Sequence, residues 1–392
     1  MSSARIIKSG TSSPDPMTFR KVYFDNSATT RVAPEVLESM MPFLTEEYGN
    51  PSSIHYMGDA AAAALRKARK QVADSLGALP SEITFTSGGT ESDNLAIIGS
   101  AIACEDKSKK RIVTSAIEHE AVLEACEELK KRGYEITVLG VDSDGYIDPS
   151  VLDDAMGEDV CLVSIMAANN VVGTIEDISE LSKVAHEYGA LFHTDAVQGY
   201  TKMKIDVKKD GIDMLALSGH KVHAPKGIGA VYVKNGTPIV PINYGGGQER
   251  GLRSSTENVP GIVGLGTAAE LAMSTMDDDV RMMTKLRDEI IDDMLKIDGA
   301  HLNGPTGKRR LCNNTHFRFD GVKGLDTVIK LSKEGIAASA ASACSAGSSE
   351  PSYVLTSLGL TPEQCMSALR ISLSRYNTEE DVRYLAEVMR RI

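Results

Sequence analysis

Short runs rich in β-branched residues alternate with longer segments of helical pattern along most of this chain, and this alternation limits the possible folds more than any other feature. Strands are predicted at 82–86, 111–115, 134–139, 160–165, 191–194 and 214–217. Helices are predicted between them, among them 60–76, which Gly77 ends, and 120–132. Strands separated by helices require crossover connections, so the pattern predicts an α/β fold with a mostly parallel sheet sandwiched by helices.

The length of the chain predicts more than one folding unit. Its 392 residues are about two to three times a common single-domain length, and the pattern becomes more helical and more charged from about residue 275. We therefore expect a large domain at 35–275 and a smaller α+β domain formed by 21–34 and 276–392. Residues 1–20 are rich in Ser, Pro and Thr and are expected to form a disordered leader.

Composition argues against several classes of protein. The 54 acidic and 42 basic side chains give a formal net charge of −12, whereas direct binding to nucleic acid needs a basic surface. No apolar stretch approaches the roughly 18 residues of a membrane span, and no secretory signal is recognisable. Six cysteines without a CxxC pair fit neither a zinc ribbon nor a disulfide scaffold, so a reducing cytoplasm is expected.

A glycine-containing turn joins the first predicted strand of the sheet to a helical segment. Residues 87–91 (SGGTE) would expose main-chain N–H groups at a helix N-terminus, which suits a phosphate. The spacing matches neither a P-loop nor a dinucleotide-binding motif. A tight strand-to-helix connection that binds no anion is an equal alternative.

An acid and a lysine lie at the ends of two predicted strands, the edge at which open α/β sheets bind ligands. Asp195 follows the strand at 191–194, where it either faces a ligand or caps the next turn. The segment SGHK, which ends at Lys221, follows the strand at 214–217, and this lysine is either solvated or bound to an aldehyde. Together the two groups suit pyridoxal phosphate, because a carboxylate keeps its ring nitrogen protonated and a lysine holds its aldehyde.

Cysteines divide into two kinds of environment. Residues 337–349 (AASAASACSAGSS) contain no side chain large enough to anchor a core, so this segment is either a flexible surface loop or a mobile arm that carries Cys344. Cys126 belongs to the apolar face of a predicted helix and Cys161 to an apolar strand, and both are expected to be buried.

Taken together, these motifs resemble those of the cysteine desulfurases of the NifS/IscS type, which have the aminotransferase-like fold of pyridoxal phosphate enzymes. The resemblance runs from Tyr23 to about Thr378, and its order and spacing are specific. Its motifs are YFDNSATT (23–30), GNPSS (49–53), TSGGTES (86–92), EH (118–119), NN (169–170), DAVQ (195–198), SGHK (218–221), GGGQE (245–249), RSSTEN (253–258), SAC (342–344) and EPS (350–352).

The resemblance implies a role for each matching position. Lys221 would hold the cofactor and then carry a substrate proton, and His119 would stack on the cofactor ring and act in acid–base steps. Asp195 would pair with the ring nitrogen and Gln198 with the phenolic oxygen of the ring. The positions expected to bind the cofactor are Gly89, Thr90, His119, Asn170, Asp195, Gln198, Ser218, His220, Lys221 and, from the partner subunit of a homodimer, Thr256.

The same resemblance implies how substrate and sulfur are handled. Arg370 would bind the carboxylate of L-cysteine, helped by Asn170, with Arg375 as the competing candidate. Cys344 would attack the substrate sulfur, giving L-alanine and a persulfide on the enzyme. The persulfide would pass to a sulfur-acceptor protein, such as an iron–sulfur scaffold or a tRNA-thiolation protein. No resident metal is expected, although Cys344 could ligate a cluster during transfer.

Other functions share much of this pattern. A selenocysteine lyase or a cysteine sulfinate desulfinase would not need Cys344 as nucleophile. An aminotransferase would have no use for a cysteine on a mobile arm. A non-catalytic sulfur-relay scaffold would have no reason to keep Lys221, Asp195 and His119 together.

Overall fold

The computed structural model describes residues 20–106, 108–340 and 351–392, so most of the expected leader and Cys344 lie outside the described residues. The helices are α1 (Pro34–Thr45), α2 (Tyr56–Leu76), α3 (Gly89–Ala103), α4 (Glu120–Lys131), α5 (Pro149–Ala155), α6 (Ile178–Glu187), α7 (Val259–Met294), α8 (Gly324–Lys333), α9 (Tyr353–Ser357), α10 (Pro362–Met366) and α11 (Glu379–Met389). The strands are β1 (Val22–Tyr23), β2 (Ile83–Thr86), β3 (Arg111–Ser115), β4 (Glu135–Leu139), β5 (Val160–Ser164), β6 (Leu191–Asp195), β7 (Met214–Ser218), β8 (Gly229–Val233), β9 (Ala300–Leu302), β10 (Asn314–Phe319), β11 (Ile336–Ala337), β12 (Ser339–Ala340) and β13 (Ala368–Ser372). None of the helices within these ranges has the length and apolar character needed to cross a lipid bilayer.

A central sheet of seven described strands has the order β2-β8-β7-β6-β5-β3-β4. Strand β8 runs antiparallel to both of its neighbours, and the remaining adjacent strands are parallel. Every residue of β5 and of β7 is buried, as expected for strands covered by helices on both faces. The six predicted strands agree with β2 to β7 within one residue at each end, which confirms the mostly parallel sheet.

The predicted helices are also present. Helix α2 begins at Tyr56, four residues before the expected start, and ends at Gly77, whose φ of 70° is the left-handed conformation of a C-terminal cap. Helix α4 ends at Lys131, one residue before the predicted end. Its N-cap is His119, whose side chain accepts a hydrogen bond from the Ala121 main-chain nitrogen.

A second, antiparallel sheet of four described strands has the order β12-β13-β10-β9. It packs in a hydrophobic cluster of its own, which includes Phe24, Phe317 and Leu369. Helix α7 crosses residue 275, where the sequence predicts the domain boundary, and contributes Leu265 to the core of the central sheet and Leu286 to the second cluster. The structure is therefore α/β with a smaller α+β part, and the residue boundaries of the two domains stay a prediction.

Candidate active site

A cavity of about 360 Å³ opens where β2, β3, β5, β6 and β7 end or give way to their connections. Of the described residues expected in the site, those that line it are Gly89, Thr90, His119, Asn170, Asp195, Gln198, Ser218, His220, Lys221 and Arg370. Residues that line it without having been expected are Ser27, Ala28, Asp93, Met166, Ala168 and Val197. The carboxyl edge of the parallel sheet thus gathers side chains that the sequence places up to hundreds of residues apart.

Asp195 lies at the end of β6 and is only 5% exposed. One carboxylate oxygen, Oδ1, accepts a hydrogen bond of 2.8 Å from the Val197 main-chain nitrogen. Burial raises the pKa of the Asp195 carboxyl, and the charges of His119 and Lys221 together with that hydrogen bond oppose the rise. Asp195 therefore both caps its turn and lines the cavity, so the two alternatives weighed from the sequence occur together.

Lys221 ends a short 3₁₀ turn that follows β7. Its Nζ donates hydrogen bonds to the main-chain oxygens of Ser27, at 2.7 Å, and Ala28, at 2.8 Å. Gln198 donates from Nε2 to the same Ser27 oxygen, at 2.9 Å. A segment near the start of the chain thus orients both side chains that were expected to meet the cofactor ring.

The N-terminus of α3 forms the end of the cavity that suits a phosphate. A Cβ added to Gly89 would lie 2.8 Å from Val197 Cγ2, so only glycine lets the helix approach this closely. His220 contributes a ring whose Nδ1 lies 3.1 Å from Thr29 Oγ1. Burial and then the charge of Lys221 lower the pKa of His220 to about 4, so its ring is neutral at pH 7.

His119 faces the cavity from the start of α4. Its Nδ1 accepts a hydrogen bond of 3.1 Å from the Ala121 main-chain nitrogen. An imidazole nitrogen that accepts carries no proton, so in the neutral ring the proton is on Nε2. The helix cap therefore fixes the tautomer of the histidine expected to act in acid–base steps.

The two arginines considered for the substrate carboxylate occupy different places. Arg370, in β13, lines the cavity and donates from Nη1 to the Asn170 main-chain oxygen at 2.9 Å. Arg375 lines a separate space of about 30 Å³ among the described residues and pairs with Asp279 at 3.0 Å. The geometry favours Arg370.

Thr256 and the cysteines that the structure describes are not among the residues that line the cavity. Thr256 is exposed and is not among the lining residues of this chain. Cys126 and Cys161 are buried as expected, and burial raises the pKa of each thiol to about 12, so neither is a thiolate near pH 7. Cys344 lies outside the described residues, and its role stays a prediction.

The lining groups fit pyridoxal phosphate. The Lys221 amine can hold an aldehyde, the buried Asp195 carboxylate suits a ring nitrogen, and the Gly89 helix terminus with nearby hydroxyls suits a phosphate. These three groups lie in one cavity, in the combination that this cofactor requires.

Comparison with known proteins agrees with this chemistry. Residues 22–385 match the family described as Aminotransferase class-V. The chain is 50% identical to the cysteine desulfurase IscS of Methanosarcina thermophila, over 94% of this chain and 91% of that protein. The chain belongs to the cysteine desulfurase family. Its identity to the family member of Dictyoglomus turgidum is 48%, over 95% of this chain and 94% of the relative.

Solved structures related to this family have the same fold. A NifS-like protein superimposes with a TM-score of 0.88 and 40% identity, over 95% of this chain and 100% of its own. A structure described as SspA in complex with cysteine gives a TM-score of 0.80 and 38% identity, over 91% of this chain and 100% of its own. These similarities confirm the expected aminotransferase-like architecture.

No role was expected for individual residues of the motif at 23–30, although two of them line the cavity. Ser27 and Ala28 line the cavity and bind Lys221 through their main-chain oxygens, which carry no side-chain identity. Only the presence of the motif among those shared with the family could have pointed to this segment.

Proposed function

We propose that this protein is a pyridoxal-phosphate-dependent cysteine desulfurase that converts L-cysteine to L-alanine and leaves the sulfur as a persulfide on Cys344. The observation that carries the proposal is that Lys221, Asp195 and Arg370 line the same cavity. An amine for an aldehyde, a carboxylate for a ring nitrogen and a guanidinium for a carboxylate are the groups that an amino-acid-processing enzyme with this cofactor needs. The relatives named as cysteine desulfurases, and the neighbour solved with cysteine, support this substrate.

Different residues of this chain would bind different parts of the cofactor, which supplies an electron-accepting ring when bound. Lys221 would hold its aldehyde through Nζ. The Asp195 carboxylate would keep the ring nitrogen protonated through its negative charge, which the charges of His119 and Lys221 favour against the effect of burial. Gln198 would donate to the phenolic oxygen. The groups that would bind the phosphate are Gly89, Thr90, Ser218, His220 and the partner subunit's Thr256.

Substrate binding, proton transfer and sulfur transfer would then depend on five residues. Arg370 and Asn170 would orient the substrate through its carboxylate, and the Lys221 amine would move the proton of its α-carbon. His119 would donate from Nε2 in acid–base steps. The Cys344 sulfur would form a bond to the substrate sulfur while the carbon–sulfur bond breaks, and the carbon would take up a proton. L-cysteine and a thiol thus give L-alanine and a persulfide, without an outside oxidant or reductant.

A homodimer is part of the proposal. Helix α1 exposes Leu37, Met41 and Leu44, which share one helical face and are 52%, 46% and 55% exposed in the single chain. A second copy would cover this apolar stripe. The exposed Thr256 would then be available to the cavity of the partner, as the resemblance to the family implies.

The sulfur acceptor is proposed to be a protein, either an iron–sulfur scaffold or a tRNA-thiolation protein. The net charge of −12 supports delivery to a protein rather than direct binding to nucleic acid. Because the reaction needs a reduced Cys344, the cytoplasm is the proposed location.

A single turnover of the cofactor-loaded protein with L-cysteine tests the function. Equal amounts of alanine and protein-bound sulfane sulfur, with the sulfur mapped to Cys344 by peptide mass spectrometry, are expected. Cys344→Ala should stop cysteine turnover, whereas Cys126→Ala, which changes a buried helix residue, serves as the control.

Other outcomes of the same experiment separate the competing functions. Release of selenium or sulfite by Cys344→Ala without cysteine turnover would favour a selenocysteine lyase or a sulfinate desulfinase. A keto acid in place of alanine would favour an aminotransferase. Protein that binds no pyridoxal phosphate after reconstitution would overturn the enzymatic proposal and favour a scaffold.

A further inference from the structure

Asp25, the acid of the 23–30 motif, forms an ion pair with Arg370 across a separation of 345 residues. The Arg370 Nη2 donates to Asp25 Oδ1 at 3.0 Å, and the two side chains are 6% and 22% exposed. An isolated parallel bridge between Asp25 and Ser372 holds the segment beside β13. A carboxylate of the chain itself is thus fixed on the arginine proposed to receive the substrate carboxylate.

The ion pair with Asp25 leaves two nitrogens of the Arg370 guanidinium, Nη1 and Nε, in different surroundings. Nη1 donates to the Asn170 main-chain oxygen at 2.9 Å. Nε is buried and has no hydrogen-bond partner among the described residues. Asp25 and Asn170 thus each take one bond from the two Nη groups, which carry two hydrogens apiece, whereas the buried Nε is closed to a ligand.

We propose that Asp25 is a specificity-determining residue, which orients Arg370 in the cavity and weakens the binding of carboxylate ligands through its own negative charge. The inference rests on the proposed function, in which Arg370 binds the carboxylate of the substrate. A ligand carboxylate that accepts from the remaining N–H groups of Nη1 and Nη2 lies on the same guanidinium as Asp25 and therefore close to a like charge. L-alanine carries the same carboxylate as L-cysteine, so this repulsion also favours release of the product.

The expected size of the effect follows from elementary electrostatics. Two carboxylates on one guanidinium lie about 5 Å apart, where their repulsion weakens affinity about fourfold at the dielectric constant of water and about 10²-fold at an effective value of about 20. A cavity that opens to solvent lies between these limits, so an effect of about tenfold or more is expected. Asp25→Asn removes the charge and keeps an oxygen at the Oδ1 position, so Arg370 should keep its orientation.

The test measures binding by calorimetry on the full-length, cofactor-loaded protein. The probe is 3-mercaptopropionate, which has the carboxylate and thiol of the substrate but no amine to react with the cofactor. Its neutral partner is 3-mercaptopropionamide. The Asp25→Asn variant should bind the anion about tenfold more tightly than wild type and should bind the amide with unchanged affinity. The Asp25→Glu variant, which restores the charge, should have an affinity for the anion close to that of wild type.

A matched ion pair provides the control. Asp279 pairs with Arg375 at the same distance of 3.0 Å, and the side chains are similarly buried, 21% and 16% exposed. Asp279→Asn should change neither affinity. In an Arg370→Gln background, Asp25→Asn should no longer strengthen binding of the anion, because the guanidinium that both carboxylates share is gone.

Several results would overturn the proposal. One is an equal change in affinity for the anion and the amide in Asp25→Asn. Another is the same gain in affinity for the anion in Asp279→Asn, and a third is that wild type does not bind the anion. Failure of the proposed function would be seen separately, as the absence of alanine in the single turnover of wild type. Thermal unfolding of each variant shows whether an altered affinity reflects a loss of folding.

Discussion

Lys202 donates a hydrogen bond from Nζ to the main-chain oxygen of Lys221, 3.2 Å away. A second bond, of 3.3 Å, reaches the main-chain oxygen of Gln198. The Lys202 side chain is buried, with 8% of the residue exposed. One buried cation therefore ties together the main chain of two residues that are proposed to hold the cofactor.

Burial of Lys202 should make the stability of the protein depend on pH. Burial lowers the pKa of its ammonium from 10.5 to about 8, so between these values the unfolded chain binds more protons than the folded one. The free energy of unfolding of wild type should therefore rise, relative to Lys202→Met, by up to about 3 kcal/mol from pH 8 to 10.5.

Urea unfolding of both proteins across this pH range measures the difference. Lys204→Met, which changes a side chain that is 77% exposed, is the control and should follow wild type. Parallel curves for wild type and Lys202→Met would contradict a buried, titrating lysine.

Replacement of Lys221, the lysine in the cavity, should abolish activity without unfolding the protein. Lys221→Ala is expected to abolish alanine formation and the visible absorbance of covalently held cofactor, because no other amine lines the described cavity. The fold should be kept, as judged by circular dichroism. Lys226→Ala removes an exposed lysine from the same connection and should leave the rate unchanged. Substantial turnover by Lys221→Ala would remove this residue from the mechanism.

Loss of the Asp195 carboxylate should lower the reaction rate more than it changes the structure. Asp195→Ala is expected to lower the rate of alanine formation by at least about 10²-fold, as for the loss of one preoriented electrostatic group. Rates are compared at equal cofactor content per chain, so that weaker binding is not mistaken for slower chemistry. A variant within a few-fold of wild type would show that the ring nitrogen does not need this acid.

The close approach at Gly89 predicts a steric defect that a second change repairs. Gly89→Ala would place a Cβ 2.8 Å from Val197 Cγ2, so it should displace the cavity wall and weaken binding of pyridoxal phosphate. Adding Val197→Ala should restore most of the affinity, measured by equilibrium titration of the apoprotein. Gly140→Ala, where an added Cβ meets no atom within 4 Å, is the control. A double variant as weak as the single one would contradict the steric explanation.

Local pattern accounts for most of the central sheet. The strands β2 to β7 are short β-branched runs bounded by helical segments, and their carboxyl ends locate Gly89, Asp195 and Lys221 without any knowledge of contacts. Strand β8, Gly229–Val233, was missed because it begins in the glycine-containing connection 225–229 (PKGIG), and its reversed direction leaves no trace in local periodicity. The more helical and charged pattern from about residue 275 indicated a smaller second part, but it located none of the strands of the sheet β12-β13-β10-β9.

The site was predictable where a side chain is proposed to act on cofactor or substrate directly, and not where a group acts through another residue. The resemblance to the family supplied the expectations for His119 and Arg370, which the cavity brings together with Lys221. It assigned nothing to Asp25, whose pairing with Arg370 depends on tertiary structure over 345 residues. The position of Cys344 relative to the cavity and the contribution of Thr256 from a partner both depend on geometry that a single sequence does not contain.

The bridge between Asp25 and β13 has a consequence for how the protein is made. Ser27 and Asp25 bind Lys221 and Arg370, and Arg370 is synthesised 345 residues after Asp25. Contacts of such long range form late in folding, because the intervening chain must first be ordered. A growing chain can therefore complete its central sheet before it contains β13 and the arginine proposed to bind substrate.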